Sequence, residues 1–476
     1  AEIAEPGADG TESTPAGQAN AAAAPGQDDG NETDVPAGEA DPNAAPPKPP
    51  VPLKTVAVGS RRELQQALRD AEPGMRIRCA PGRYGGGYLV RRFRGEPGRP
   101  LIIEAADPER PPVFQGGNDG LKLRSCRCVK LKSLVFRGAR GNGVHVDDGG
   151  SPRIPSQGII LEDLRIEDVG PRGNHDAIKI SGVVDFVIRS CRIRGWGGSG
   201  VDMVGCHGGL VEGCIFEGRP GARQKNAIQI KGGSTSILVQ GCTFLKAGER
   251  AVCIGGSTGA DYFRPLGVPY EAKGVIVAGN RFVGGEAQLA WITSMRSHVH
   301  HNIFYQPKRW VLRILQETKS RRFEPCQDGI FAHNLIVAGP KLRRAVNVGP
   351  RTAPETFVFR GNAWMLAGPR RKPQLPVREV DGVHGVPAEL KKPGSPEMRI
   401  ESDDPGVRHV GPRAYTPWDC PADFAEIRPP KVPPAREAEK ALGQGDLRKL
   451  LAFAGLGTAG LLVFSAGVVI HRARRR

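Results

Sequence analysis

From residue 143 onward the chain repeats a four-residue cadence of small, apolar, variable and apolar positions. It reads GVHV at 143–146, AIKI at 177–180, GVDM at 200–203, AIQI at 227–230, AVCI at 251–254 and AVNV at 345–348. Period-two alternation marks a strand with one buried face, so the apolar residues point to a core and the variable ones away from it. A second segment alternates up to a small polar residue or cysteine and resumes with a large apolar one. Examples are LVEGCIFEG (210–218), ILVQGCTFLKAG (237–248), VIVAGNRFVGG (275–285), VHHNIFYQ (299–306), IFAHNLIVAG (330–339) and FVFRGNAWM (357–365). Aligned on the small position, Cys191, Cys214, Cys242, Asn280, Asn302, Asn334 and Asn362 follow at intervals of 22 to 38 residues. Short strands returning at such intervals, with glycine-rich corners, predict an all-β parallel solenoid in which each coil stacks on the last.

Stacking at ~4.8 Å per rung turns equivalent positions into ladders along the axis. The asparagines are expected to hydrogen-bond one another. Cys191, Cys214 and Cys242 are expected as buried thiols, since three in succession cannot pair off; the ten cysteines do not form a disulfide framework. The variable residues of the four-residue cadence form an outward ladder: His145, Lys179, Asp202, Gln229, Cys253 and, further along, Arg313. Such a mixed-charge face suits a sugar chain; a merely solvated sheet face is the simpler alternative. Lys231, two residues beyond Gln229, shares the outward side.

The ends add context. Ser60-Arg-Arg-Glu63 is a capping box, and Leu64, Ala67, Leu68 and Ala71 share one helical face. This short helix is expected to cap the open end of the solenoid, with MRIRCAPGRY (75–84) as the first strand. Residues 1–50 hold ten acidic residues, one basic and almost no large apolar ones, and read as disordered. The solenoid is expected over 51–365, an irregular tail over 366–429 and a stalk over 430–449. Residues 450–470 are 21 uncharged, mostly apolar positions followed by HRARRR. At ~1.5 Å per residue they span ~31 Å, enough for a transmembrane helix with a cytoplasmic basic tail at 471–476. The chain begins with Ala1 rather than Met, consistent with a removed leader, and export with the solenoid outside the cytoplasm is expected. Residues 1–50 carry −9 and the whole chain +17, leaving +26 on the rest. That balance points to an anionic partner. Without basic residues interleaved with aromatics, and outside the cytoplasm, acidic polysaccharide is expected rather than nucleic acid.

SRRELQQALRDAEPGMRIRCAPGRYGG, then GRPLIIEAADPERPPVFQGG and VKLKSLVFRG, resemble the opening of right-handed parallel β-helix polysaccharide lyases of the chondroitinase B and alginate lyase type, over roughly residues 55–365. The resemblance implies a right-handed, pectate-lyase-like helix that cleaves uronate-containing glycan by β-elimination. In those enzymes a lysine takes the proton beside the carboxylate, an arginine assists and calcium neutralises the acid. Lys231 matches the lysine. Asn226 and Gln224 stand where the acidic calcium ligands would be, and no arginine falls at 252–254. No cofactor or metal site is therefore expected, calcium being the one the resemblance would bring.

The candidate catalytic set is Lys231, Arg264, Tyr262, Arg250 and His175. Loop 256–270, inserted one rung beyond Lys231, is expected to bring Arg264, Tyr262 and Tyr270 over that lysine. Arg250 lies on the opposite flank with His175, Asp176, Asn226 and Glu249. Lys179, Asp202, Gln229, Asn226, Asp176, Tyr270, Arg313 and Glu317 are the expected substrate contacts, with Arg313–Glu317 alternatively a surface ion pair. Hydrolysis ranks lower, because Asp176 and Asp202 are about 11 Å apart at the backbone and inversion needs roughly 6.5–9.5 Å between carboxyls. Epimerisation starts from the same proton abstraction. His298 and His300 share a strand face without a third ligand, and His301 and His333 are expected to stack. Whether the protein is an enzyme stays open: a non-catalytic glycan-binding or envelope protein on this fold fits the same pattern.

Overall fold

A computed structural model describes residues 54–418, except 172, 223, 343, 368–371, 386–388 and 403. The expected disordered segment, stalk, transmembrane helix and basic tail lie outside the described residues. Among those described, no helix is long and apolar enough to cross a membrane.

The chain winds through three parallel sheets, visiting each once per coil. Sheet A has 12 strands, from Lys54–Val58 to Val358–Arg360; sheet B has 12, from Arg83–Gly85 to Val383–His384; sheet C has ten, from Tyr88–Arg91 to Val346–Val348. The four-residue cadence is sheet C, and the segments carrying cysteine or asparagine run from sheet A into sheet B.

Each ladder forms for an identifiable reason. Asn280 donates from its backbone N to Asn302 Oδ1 at 2.9 Å and from Nδ2 at 3.0 Å; Asn302 bonds Asn334, and Asn334 bonds Asn362, in the same way. The corner amide of each of these three coils is thus satisfied by the side chain of the next. Where cysteine holds the position, Cys191 N–H points at Cys214 Sγ at 3.4 Å, and Cys242 N–H donates to Asn280 Oδ1 at 2.8 Å. Every described cysteine is a buried free thiol. In sheet B, Phe216, Phe244, Phe282 and Phe304 stack nearly parallel with ring centroids 5.1, 4.7 and 4.7 Å apart. Each such pair contributes roughly 0.5–1.5 kcal/mol beyond its area burial.

The helix forms over Arg61–Arg69, with Ser60 Oγ accepting from Glu63 N and Leu64, Ala67 and Leu68 joining the core. The first strand differs from the expectation: Lys54–Val58, ahead of the helix, pairs with Met75–Cys79. The expected first strand also breaks at a corner, with Arg83–Gly85 in sheet B. Lys54–Val58 is hard to read as a strand because only two of its residues, Val56 and Val58, turn to the core, too short an alternation to stand out ahead of the helix. Beyond residue 365 the chain adds Val383–His384 to sheet B and then returns as a strap along the outside. Met398, Ile400, Val407 and Val410 pack with Val283, Ile303, Leu335 and Ala363, while Tyr415 and Trp418 cover a cluster that includes Leu238 and Ile276.

Candidate functional site

The parallel register of sheet C places the outward ladder as the cadence predicts. His145, Lys179, Asp202, Gln229 and Cys253 are consecutive partners, and Ala290, Arg313 and Asn347 continue the row. A parallel row joins Ser199, Asn226 and Arg250, and Asp176 sits beside it, its Oδ1 accepting from Ser199 N at 2.6 Å. A third row carries Ser181, Val204 and Lys231.

Four charged side chains converge at the centre of this face. Lys179 Nζ donates to Asp202 Oδ2 and lies 3.5 Å from Asp176 Oδ2. Lys231 Nζ is 3.3 Å from Asp202 Oδ1 and 3.3 Å from Gln229 Oε1. Asp176 and Asp202 are buried, at 0% and 1% exposure, whereas the lysine side chains keep 19% and 13%. The carboxylates therefore form the floor and the ammonium groups the surface. Burial first, and then the neighbouring Asp202 charge, push Asp176 up to about 6 despite Lys179 and the Ser199 N–H. Burial works against the Lys179 charge, but Asp202 and Asp176 outweigh it and hold its pKa above the ordinary lysine value. Asn226 donates to Gln229 Oε1 at 3.2 Å and accepts from Cys253 Sγ at 3.1 Å, fixing the next rung. Close approach matters here: a Cβ on Gly256 would fall 2.6 Å from Gln229 Nε2 and 3.3 Å from Lys231 Cδ. Gly255, at φ +106°, would put one 1.7 Å from Ile292 O.

The flanking expectations need correction. Arg264 does not reach over Lys231: its Nε donates to Asp148 Oδ2 at 2.9 Å, with Asp148 itself buried. Glu271, wholly buried, pins the loop by accepting from Gly232 N, Thr258 N and Thr258 Oγ1. The loop then folds back over Gly205, whose missing side chain leaves room for Arg264 to run toward the earlier coils. Tyr262 is 67% exposed, and Tyr270 lies under Lys273, so neither covers the cluster. His175 is exposed on the loop while Asp176 points inward, because neighbours at a strand entrance face opposite ways; they form no dyad. Glu317 pairs with Arg250 at 2.7 Å rather than with Arg313, which donates to Asn347 Oδ1 and lies over Trp310. Glu249 stays exposed at the groove edge. The wide backbone separation of Asp176 and Asp202 also misleads, since their side chains converge on one ammonium group.

The site extends further along the row than the cadence shows. His145 Nδ1 is 3.1 Å from Asp119 Oδ2 and its Nε2 3.5 Å from Asp147 Oδ2, and Lys122 Nζ is 2.7 Å from Asp147. Burial raises both aspartates, but partners overcome it: His145 and Asn142 for Asp119, Lys122 and the Gly149 N–H for Asp147. Period-two spacing in KLR (122–124) and HVD (145–147) is the signal that finds them.

The residues at the resembled calcium position do not fit a divalent cation. Gln224 Oε1 accepts from Arg219 N at 2.6 Å, and both oxygen donors of Asn226 and Gln224 are neutral amides already engaged. Among the described residues no group of three or more His, Cys, Asp or Glu side chains is arranged to hold a metal. His301 and His333 stack as expected, at 5.1 Å.

Residues 119–308 match the family model of the right handed beta helix region. A comparison with curated proteins finds no match. Among solved structures, the chain is similar to an alginate lyase from Paenibacillus sp. str. FPU-7, at 18% identity and a TM-score of 0.40, over 63% of this chain and 96% of that one. It is also similar to the pectate lyase Pel9A, at 12% identity and a TM-score of 0.45, over 67% and 82%. A third is the mannuronan C-5 epimerase AlgE4 A-module of Azotobacter vinelandii, at 11% identity and a TM-score of 0.39, over 70% and 93%. With its central coils matched by that model and three parallel sheets wound from one chain, the described part of the protein is a right-handed parallel β-helix.

Proposed function

We propose that the protein acts on an acidic, uronate-containing polysaccharide laid along the outer face of sheet C, by β-elimination at the Lys179–Lys231 pair. The observation that carries this reading is two lysines of nearby rungs meeting over one buried carboxylate, Asp202. β-Elimination from a uronate asks for two positive or proton-accepting groups within one sugar ring: one to neutralise the carboxylate, one to take the adjacent proton. Lys179, kept charged by two carboxylates, suits the first task. Lys231, tied to a single carboxylate oxygen and a neutral amide, suits the second. Once its ammonium has given a proton to solvent, the Lys231 amine takes the proton from the carbon bearing the carboxylate, a double bond forms to the neighbouring ring carbon, and the glycosidic oxygen leaves with a proton returned by the same group. Asp202 is a positioning residue that sets the spacing of the two lysines. Export and anchoring by residues 450–470 belong to the same proposal and rest on the apolar length of that segment.

The test is the ultraviolet absorbance of unsaturated product on a panel of uronate glycans. Lys231→Ala is expected to lower the rate by about 10²–10⁴-fold, the usual worth of a general base. Full activity in that variant overturns the assignment, and acidic glycan bound by the native protein without product on any member favours a binding protein.

A second reading, glycoside hydrolysis, draws on one observation. Asp176, pushed up to about 6, and Asp202, charge-paired with two lysines, are carboxyl groups whose environments differ as an acid and its partner would. New reducing ends without unsaturated product would favour it.

A further inference from the structure

Beside the lysine cluster, where sheet B turns into sheet C, lies an open cleft of about 930 Å³. It spans the rungs of Asn226, Arg250, Ala287 and Trp310, three steps of ~4.8 Å or ~14 Å along the axis. Its lining holds six cationic side chains against two carboxylates, Glu249 and Glu286, while Asp168 and Glu317, just outside the lining, pair with Arg219 and Arg250. Glu286 is shared by Lys308 and Arg309, at 3.3 Å each, so one charge there answers two. Lys246, at the far wall, makes no ion pair among the described residues. Arg309 and Arg313 lie over the Trp310 ring, at 4.1 and 4.3 Å from its centroid. The indole holds both planar groups in place before any ligand arrives, which lowers the ordering cost of using them. Burial and then the neighbouring Arg250 charge lower the pKa of Arg313, with Glu317 working against them. An independent sign comes from Gln224, which lines the cleft at 3% exposure: its Oε1 accepts from Arg219 N, but its Nε2 is a buried donor with no acceptor among the described residues.

We propose that this cleft is an anion-binding subsite that receives an acidic sugar unit one to three units away from the one at the lysine cluster. The inference rests on the reading of sheet C as a glycan face and narrows the ligand: a chain with acidic groups on successive units rather than a single uronate in a neutral polymer. Arg309 and Arg313 present forked donors to a carboxylate, Lys246 adds a mobile charge, and the Gln224 amide gains its missing acceptor from a carboxylate or hydroxyl oxygen. The cluster and the cleft divide the work, the first engaging the reacting unit and the second holding the chain in register along the axis.

The test measures binding calorimetrically with oligogalacturonates and oligomannuronates of two to six units, and cello-oligosaccharides as neutral controls. Affinity for at least one acidic series is expected to rise tenfold or more between two and five units, to weaken with salt, and to be absent for the neutral series. The double variant Lys246→Glu/Arg309→Glu is expected to lose that length-dependent gain. Lys231→Ala is expected to keep the gain while losing product formation. Binding that does not strengthen with length, a double variant that binds pentamer as the native protein does, or equal binding of neutral chains overturns the subsite. Tighter binding of duplex DNA than of any acidic oligosaccharide overturns the glycan as its ligand. Loss of product in Lys231→Ala reports on the cluster alone, so the two readings fail separately.

Discussion

Acidification is expected to release the C-terminal strap while the coil beneath it stays folded. His300 and His301 end a sheet A strand, with Nδ1 atoms 2.9 Å apart, an arrangement that needs one of the two to accept. His301 stacks on His333, His333 meets His409 of the strap, and Tyr415 of the strap lies on both His300 and His301. His409 Nε2 contacts Gly361 O at 3.0 Å, and Gly411 N donates to His333 O at 3.0 Å. Burial first, then neighbouring histidines, push His300 and His333 down to about 3 and His301 well below the ordinary 6.5; His298 adds to the effect on His300, and Arg360 to that on His333. Because the folded values lie below the unfolded one, the stabilisation is complete above about pH 6.5 and is lost as the pH falls toward 3. At about pH 5, 1.5 units below the unfolded value, a fully buried neutral ring costs about 2 kcal/mol. His301, at 5% exposure, carries that in full, while the partly exposed His300 and His333 carry about half each, giving about 4 kcal/mol together. That is close to a thousandfold in the opening equilibrium of the strap. Hydrogen exchange read by mass spectrometry on peptides from Met398 to Trp418 should show this loss of protection between about pH 7.5 and 5, after correction for intrinsic exchange, with sheet C unchanged. His301→Phe should flatten the dependence. Strap protection that holds through that range, or sheet C opening in step with it, would refute the reasoning.

Two further outcomes follow from the ladders. Asn302→Leu removes the acceptor of Asn280 N and Nδ2 and the donor to Val277 O and His300 O, so denaturant unfolding should show a loss of about 3 kcal/mol or more. The nine described cysteines should resist thiol reagents in the native protein, since all are buried and burial drives Cys79 and Cys206 up to about 12; a count of more than one reactive thiol, allowing for Cys420, would contradict the packing.

Much of this was legible in the residues because a solenoid repeats its physics. Period-two spacing fixed the outward row through Arg313, and the isolated small polar position marked the corner ladder. What escaped reading depends on side-chain reach and on loops. The sequence separation of Asp176 from Asp202 conceals their convergence on Lys179, and nothing near Arg264 announces a partner 116 residues earlier, at Asp148. Lys246, Arg309 and Trp310 lie at or beyond strand ends, where alternation carries no information, so the cleft becomes visible only when four rungs are stacked.

The loop between Gly255 and Ala272 shows where this architecture tolerates novelty. It fills the single corner between sheet C and sheet A, and Ser234 to Gln240 still pair with Ala272 to Ala278 in the parallel register of the sheet A pairs around them. One residue inserted inside a sheet C strand would instead turn the side chains that follow to the wrong face. Divergence among β-helices of this kind should therefore accumulate as changes of corner length rather than as changes within rungs. For protein engineering the corner is a port: a foreign recognition peptide spliced between Gly259 and Gly267 would project from the solenoid while the rungs on either side kept their partners.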